Sequence, residues 1–273
     1  MEQEEAQQCQ DSLGIQNKRR SILRIADGRK FVAKNTWCPK VNFKQRNPVW
    51  LVNEIVYWEF AQVAKLKVPC AKLLIHDDEY YFGSEFVTSR IRVSGSSALN
   101  NLFNGENKVQ LVRALLLDLA LLNSDRQLWN ILVDAERNLW FIDHDKSLWG
   151  DGREPPGDLG RISPCTLSLK LSDYVGDYLA SQEANNLIWN KKIWPLVLQK
   201  LEALPLEITI LQNARDKVPT DWMSSELWRR MEDFLPLWWD NLHCFFERCD
   251  ALDRIVNILQ NRGLICWQVP SLH

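Results

Sequence analysis

Residues 115–148 read LLLDLALLNSDRQLWNILVDAERNLWFIDHDKSL, and the fold turns on how this stretch divides. It opens in an apolar run and closes in a polar cluster. Asp125 and Asn130 lie five residues apart, and Asn130 and Asp143 thirteen apart. Between them run two short apolar segments, 128–133 and 139–142, joined by the polar link 134–138. Short apolar runs on either side of such a link read as two paired strands. The longer apolar run ahead of them reads as a buried helix. The stretch is therefore helix, loop and β-hairpin, with the second strand delivering Asp143.

That arrangement suits phosphoryl transfer from ATP. In such a reaction the protein mainly positions the reactants and neutralises charge. An Asp and an Asn five residues apart in one loop can divide the work: Asp125 orients or deprotonates an attacking hydroxyl, and Asn130 offers a carboxamide oxygen to Mg2+. Asp143, at the end of the second strand, would hold the metal that bridges the phosphates. Asn and Asp are the hard oxygen donors that Mg2+ takes beside water and phosphate. Arg126 reads as a partner for a nearby carboxylate or as a brace of the loop. Asp145 reads as a second metal ligand or a turn acid, with the turn acid preferred, and Trp129 has no assigned role.

SDRQLWN (124–130) resembles the D-x-x-x-x-N catalytic loop of the protein-kinase-like superfamily. Its D-R-x-x-x-N form is closer to HipA-like and phosphatidylinositol kinases than to kinases carrying H-R-D. FIDHDKS (141–147) is similar to the strand and metal-binding Asp of HipA-like proteins. The resemblance implies an α+β, two-lobed protein-kinase-like fold. Its N-lobe would be a small antiparallel sheet with one αC-like helix, and its C-lobe mostly helical.

The N-terminal third carries matching signals. SILRIADGRKFVAKN (21–35) reads as strand, Asp27-Gly28 turn and strand, since Asp-Gly between apolar runs is a strong hairpin signal. Lys34 closes the second strand after Val-Ala, resembling the V-A-x-K of kinase N-lobes, where the lysine holds nucleotide phosphates. Residues 49–66 show helical spacing behind Pro48, a residue suited to a helix start. By resemblance this is the helix whose Glu pairs with the lysine; Glu54 is the choice and Glu59 the alternative. The segment 53–69 is also similar to the N-E…A…V-P segment of HipA-like proteins. Tyr80–Val87 reads as the last N-lobe strand running into a linker. In a kinase fold the linker backbone, here Glu85, Phe86 and Val87, would meet the adenine edge. No G-x-G-x-x-G precedes Lys34, so the phosphate-covering loop is unassigned, and Lys18, Arg19 and Arg20 are its basic candidates.

Composition bounds the rest. The chain has 273 residues, 46% hydrophobic and 25% charged, with a net charge of −2. Such a balance predicts a globular protein with a full core and gives no field that selects nucleic acid or an anionic membrane. No apolar run approaches the ~20 residues of a membrane helix. The acidic start MEQEEAQQCQ has no apolar signal region, so a cytoplasmic place is expected. Seven cysteines without a C-x-x-C pair argue against zinc and against a disulfide framework.

The expected division is 1–20 as a flexible N-terminus, 21–88 as N-lobe, 89–107 as linker and 108–273 as helical C-lobe. Helices are expected at 182–203, 205–215, 221–234 and 236–262, with prolines at their boundaries. The expected activity is transfer of the ATP γ-phosphate to a hydroxyl, with a protein Ser or Thr as acceptor and ATP and Mg2+ as cofactors. The rivals are a nucleotide-binding pseudokinase and a small-molecule kinase of the aminoglycoside-phosphotransferase type. HipA proteins often pair with an antitoxin; nothing in this chain identifies such a partner.

Overall fold

The computed structural model describes residues 3–8, 20–35, 48–87, 91–92, 105–123, 126, 128–148 and 194–247. Asp125, the basic segment 18–19, residues 149–193 and the tail beyond 247 lie outside them.

Five strands close into a barrel: β1 (Gln3–Gln8), β2 (Arg20–Ile25), β3 (Lys30–Asn35), β4 (Ala71–His76) and β5 (Glu79–Glu85). Their order is β1-β2-β3-β5-β4, and β1 closes the ring by pairing parallel to β4 and antiparallel to β2. This corrects the expectation of a flexible N-terminus over residues 3–8. QEEAQQ shows no apolar alternation, and its strand is held by neighbours on both edges rather than by its own propensity.

The β2–β3 hairpin turns at Gly28, whose φ of +90° lies in the left-handed region that glycine occupies without penalty. Inside the barrel pack Leu23, Ile25, Phe31, Ala33 and Leu74. At Gly83 a Cβ would stand 2.5 Å from Leu74 Cδ1, so any larger residue there requires the Leu74 side chain to shift. Side chains alternate along a strand. Lys34, paired in register with Phe82, therefore falls on the opposite face, turned towards helix α1.

Helix α1 (Val49–Val63) is covered on almost every side, with Glu54 and Glu59 among its buried residues. It lies between the barrel and α4 (Ile208–Arg215). Lys217 reaches Glu59 at 2.7 Å and fastens the two.

The second lobe holds β6 (Ile91–Arg92), α2 (Gly105–Ala120), a 3-10 turn (Leu128–Asn130), β7 (Ile131–Val133) and β8 (Leu139–Phe141). α3 (Trp194–Glu202), α4 and α5 (Ser225–Glu247) complete it. The hairpin expected at 128–142 is β7–β8, with β6 added at its edge.

α2 begins at Gly105, inside the segment expected to be linker, and ends in a left-handed cap at Leu122, φ +54°. There the Asn123 amide closes on the Asp118 carbonyl at 2.8 Å. The indole N–H groups of Trp238 and Trp239 donate to Leu119 and Ala120 carbonyls, at 3.0 and 3.2 Å. These supply partners that the last turn of a helix lacks by itself.

Pro236 does not break a helix, contrary to expectation. α5 runs through it. The reason is a continuous buried stripe, Trp228, Met231, Leu235, Trp239, Leu242 and Phe246, whose burial outweighs the one backbone hydrogen bond that proline removes.

Candidate active site

The site forms where barrel, α1 and the β7–β8 hairpin meet. Lys34 projects from β3 and Glu54 from α1, and the two form a buried ion pair. Asp143, two residues past β8, places Oδ1 2.5 Å from Lys34 Nζ, and Asp145 lies 3.5 Å from it. The carboxylates of Glu54, Asp143 and Asp145 all come within 4.8 Å of one another. One ammonium thus faces three carboxylates. Without a cation those carboxylates would repel, and a lysine is the compact charge that fits between them.

Asp143 sits at φ +62°, a conformation uncommon for a residue with a side chain. The left-handed residue turns the chain sharply after β8, and it coincides with the charged cluster. Asp145, read from the sequence as a turn acid, is 4% exposed and belongs to the cluster. Asn53 holds the segment in place by donating Nδ2–H to the Asp145 carbonyl at 3.0 Å.

Asn130 is buried at the end of the 3-10 turn. Its carbonyl accepts the Ile142 amide at 3.0 Å, which sets Asn130 beside the strand exit that carries Asp143. Asp125 lies outside the described residues. Glu59, the alternative partner for Lys34, is taken by Lys217. In the linker, the Glu85 amide donates to the Cys70 carbonyl and the Phe86 amide to the Lys30 carbonyl, both at 2.8 Å. Those two N–H groups serve the sheet and are not open to an adenine edge.

Behind the cluster lies a second buried polar group that the sequence did not announce as a unit. Arg126 forks onto Asp118 of α2, with Nε 3.0 Å from Oδ2 and Nη2 3.1 Å from Oδ1. It also donates to the Ile142 carbonyl at 2.8 Å. Tyr57 of α1 donates to Asp118 at 2.8 Å, and Asn123 Nδ2 does so at 2.7 Å. His144 stacks on Tyr57, with centroids 3.7 Å apart and planes 6° from parallel.

Burial, then the Arg126 and Lys34 charges, hold the His144 imidazole well below its usual range. It is therefore neutral and takes a hydrogen bond from Arg126 Nη2 at 2.7 Å through Nδ1. Its other nitrogen then carries the proton and donates to the Phe141 carbonyl, at 3.2 Å. Burial, then the Asp118 charge, pushes the Tyr57 hydroxyl well above its usual range, so it stays a donor. Arg126, read as a partner or a brace, is both. One guanidinium thereby joins α1, α2, the 3-10 turn at Asn130 and the segment bearing Asp143.

The oxygen donors fit a hard divalent ion. Three carboxylates converge within 4.8 Å, and no sulfur or imidazole ligand is among them. A buried Asn53 Oδ1 and Ser147 Oγ near this cluster have no hydrogen-bond partner among the described residues.

No protein-family model and no curated protein matches the chain. Among solved structures it is similar to the Helicobacter pylori proinflammatory kinase CtkA, with a TM-score of 0.54 and 14% identity over 93% of this chain and 96% of that one. An aminoglycoside phosphotransferase from Alicyclobacillus acidocaldarius gives 0.27 and 11% identity, over 93% and 94% of the two chains. The pseudokinase domain of BIR2, an immune regulator of the RLK/Pelle family, gives 0.28 and 14%, over 91% and 80%. The first of these establishes the shared architecture: the chain has an α+β, two-lobed protein-kinase-like fold. Among the described residues no helix is long and apolar enough to cross a membrane.

Proposed function

We propose that the chain is an ATP-dependent phosphotransferase of the HipA-like kind, working in the cytoplasm on a Ser or Thr hydroxyl of a protein. The observation that carries this reading is the meeting of Lys34, Glu54 and Asp143. A strand lysine, a helix carboxylate and a hairpin carboxylate converge, the two carboxylates lying 20 and 109 residues from the lysine in sequence. Such convergence has no evident use in a merely structural core, where buried charges are a poor source of stability.

In this reading Lys34, oriented by Glu54, binds the phosphates. Asp143 and Asn130 would hold Mg2+, with Asp145 as a further oxygen donor. When bound, the metal neutralises charge on the phosphate oxygens. The acceptor oxygen forms a bond to the γ-phosphorus as the bond to the bridging oxygen of ADP breaks. The acceptor proton passes to the Asp125 carboxylate. The linker 85–87 flanks the adenine through its remaining backbone groups. The lobe plan that goes with this reading has an N-lobe to residue 88, a linker to 107 and a C-lobe beyond it, with β1 added to the first lobe and β6 and the start of α2 lying within the linker.

A pseudokinase is the second reading, favoured by one feature: the Asp143 carboxylate is already engaged by Lys34. ATP turnover with Mg2+ and a panel of protein and small-molecule acceptors separates the two, with intact mass reporting self-phosphorylation. Transfer lost in Asp125→Ala and in Asp143→Ala supports the enzyme. Mg2+-dependent ATP binding without transfer to any acceptor supports the pseudokinase, and absence of nucleotide binding removes both.

A further inference from the structure

Further along α1 from Glu54, towards its C-terminal end, the two lobes border an open cavity of about 680 Å3. Trp58 and Gln62 of α1 form one wall, and Val68, Pro69 and Cys70 a second. The linker residues 85–87 form the third, and the β7–β8 turn with Trp140 the fourth. None of Lys34, Asn130, Asp143 or Asp145 lines it, so it is separate from the charged cluster and shares only the linker 85–87 with the proposed nucleotide site.

Its chemistry is one-sided. Glu85, Asp134 and Glu136 bring three carboxylates to the walls, and among the described residues no Lys, Arg or His lines it. Asp134 is set up to stay ionised. Burial raises its pKa, but hydrogen bonds from the Trp140 indole, the Asn138 side chain and the Asn138 and Glu136 amides outweigh this and lower it. Both indoles have their N–H groups engaged internally, Trp58 with the Pro69 carbonyl at 3.0 Å and Trp140 with Asp134 at 2.9 Å. What they offer an occupant is ring surface. Aromatic surface beside carboxylates suits a long side chain with an apolar stem and a cationic head.

We propose that this cavity docks an arginine- or lysine-bearing segment of a partner protein. The position gives such docking a consequence. Trp140 lies three residues before Asp143 on the same strand and its exit, and Trp58 four residues after Glu54 on the same helix. The Phe141 amide is further tied to the Lys67 carbonyl, next to the cavity wall, at 3.0 Å. An occupant therefore rests on both elements that carry the cluster. The docking stands independently of whether the chain transfers phosphate.

Cys70 supplies a reporter, since its partly exposed side chain lines the cavity. The full chain is treated with iodoacetamide, and alkylation at Cys70 is followed by peptide mass mapping. The probe is a blocked Leu-Arg-Arg-Leu peptide, with Leu-Glu-Glu-Leu as control and calorimetric titration of both as a second readout. The basic peptide is expected to bind and slow Cys70 alkylation, and the acidic one to do neither. Glu136→Lys, an exposed change, is expected to weaken binding by about tenfold, and about 0.5 M salt to weaken it similarly. Equal effects of the two peptides, or no binding of either, overturns the proposal. A chain that transfers phosphate but binds no basic peptide keeps its proposed function and loses this site.

Discussion

The group around Arg126 makes a sharp energetic prediction. Asp118 is wholly buried and Arg126 is 4% exposed, so neither charge has recourse to water. The Asp118 carboxylate accepts from Arg126 twice, from Tyr57 and from Asn123. Removing one partner leaves the other as an uncompensated buried charge, which costs about 3–5 kcal/mol. Asp118→Asn and Arg126→Met are each expected to lose that much. Against a total stability of about 5–15 kcal/mol, either is severe. The double variant carries no orphaned charge, and the carboxamide that replaces the Asp118 carboxylate keeps an acceptor for Tyr57. Its loss should therefore fall short of the sum by at least about 2 kcal/mol. Urea unfolding followed by tryptophan fluorescence measures all four corners of the cycle. Losses that simply add, within about 0.5 kcal/mol, would show that the two charges do not depend on one another and refute the reasoning.

Two further outcomes follow from other parts of the structure. Lys34→Ala leaves Glu54, Asp143 and Asp145 facing one another without their cation, so the variant should melt at lower temperature than the parent chain. Added Mg2+ should raise its melting temperature by more than it raises the parent's; equal shifts in thermal unfolding, or none, would count against a metal-binding cluster. Pro236→Ala restores a backbone donor in the middle of α5 and should stabilise the chain by at least about 1 kcal/mol in urea unfolding. A loss would mean that the tryptophan packing requires a bend at that residue.

How far the site is legible in the sequence depends on what kind of signal each residue gives. The β7–β8 hairpin and the β2–β3 turn announce themselves by local pattern, because apolar runs around a polar link or an Asp-Gly leave few other solutions. Spacing and resemblance single out Lys34, Glu54 and Asp143, and the structure brings the three together. β1 is illegible because Gln3–Gln8 has no pattern of its own; its two partners in the barrel define it. Pro236 misleads because proline is a local signal, whereas the buried stripe of α5 is a tertiary one.

The Asp118, Tyr57 and His144 group escapes sequence reading for a different reason. Asp118 and Tyr57 are each one polar residue beside apolar neighbours and look like interruptions of the pattern, while His144 lies between two aspartates that carry the stronger signal. A usable signal is nevertheless present in LLLDLALL (115–122). An aspartate in the middle of a helix that is otherwise buried must have a cationic or donor-rich partner, since an unpaired carboxylate is almost never fully buried. Arg126 is the nearest cation to follow it in sequence, and it lies in the loop that the chemistry already marks. Asp118, taken as a demand for Arg126, implies that the loop is pinned to α2 from within. The same logic gives Asp145 its place: with Glu54 and Asp143 already facing Lys34, a third acid two residues on is either expelled to solvent or drawn to the same ammonium. Its burial beside Lys34 shows which of these the fold adopts.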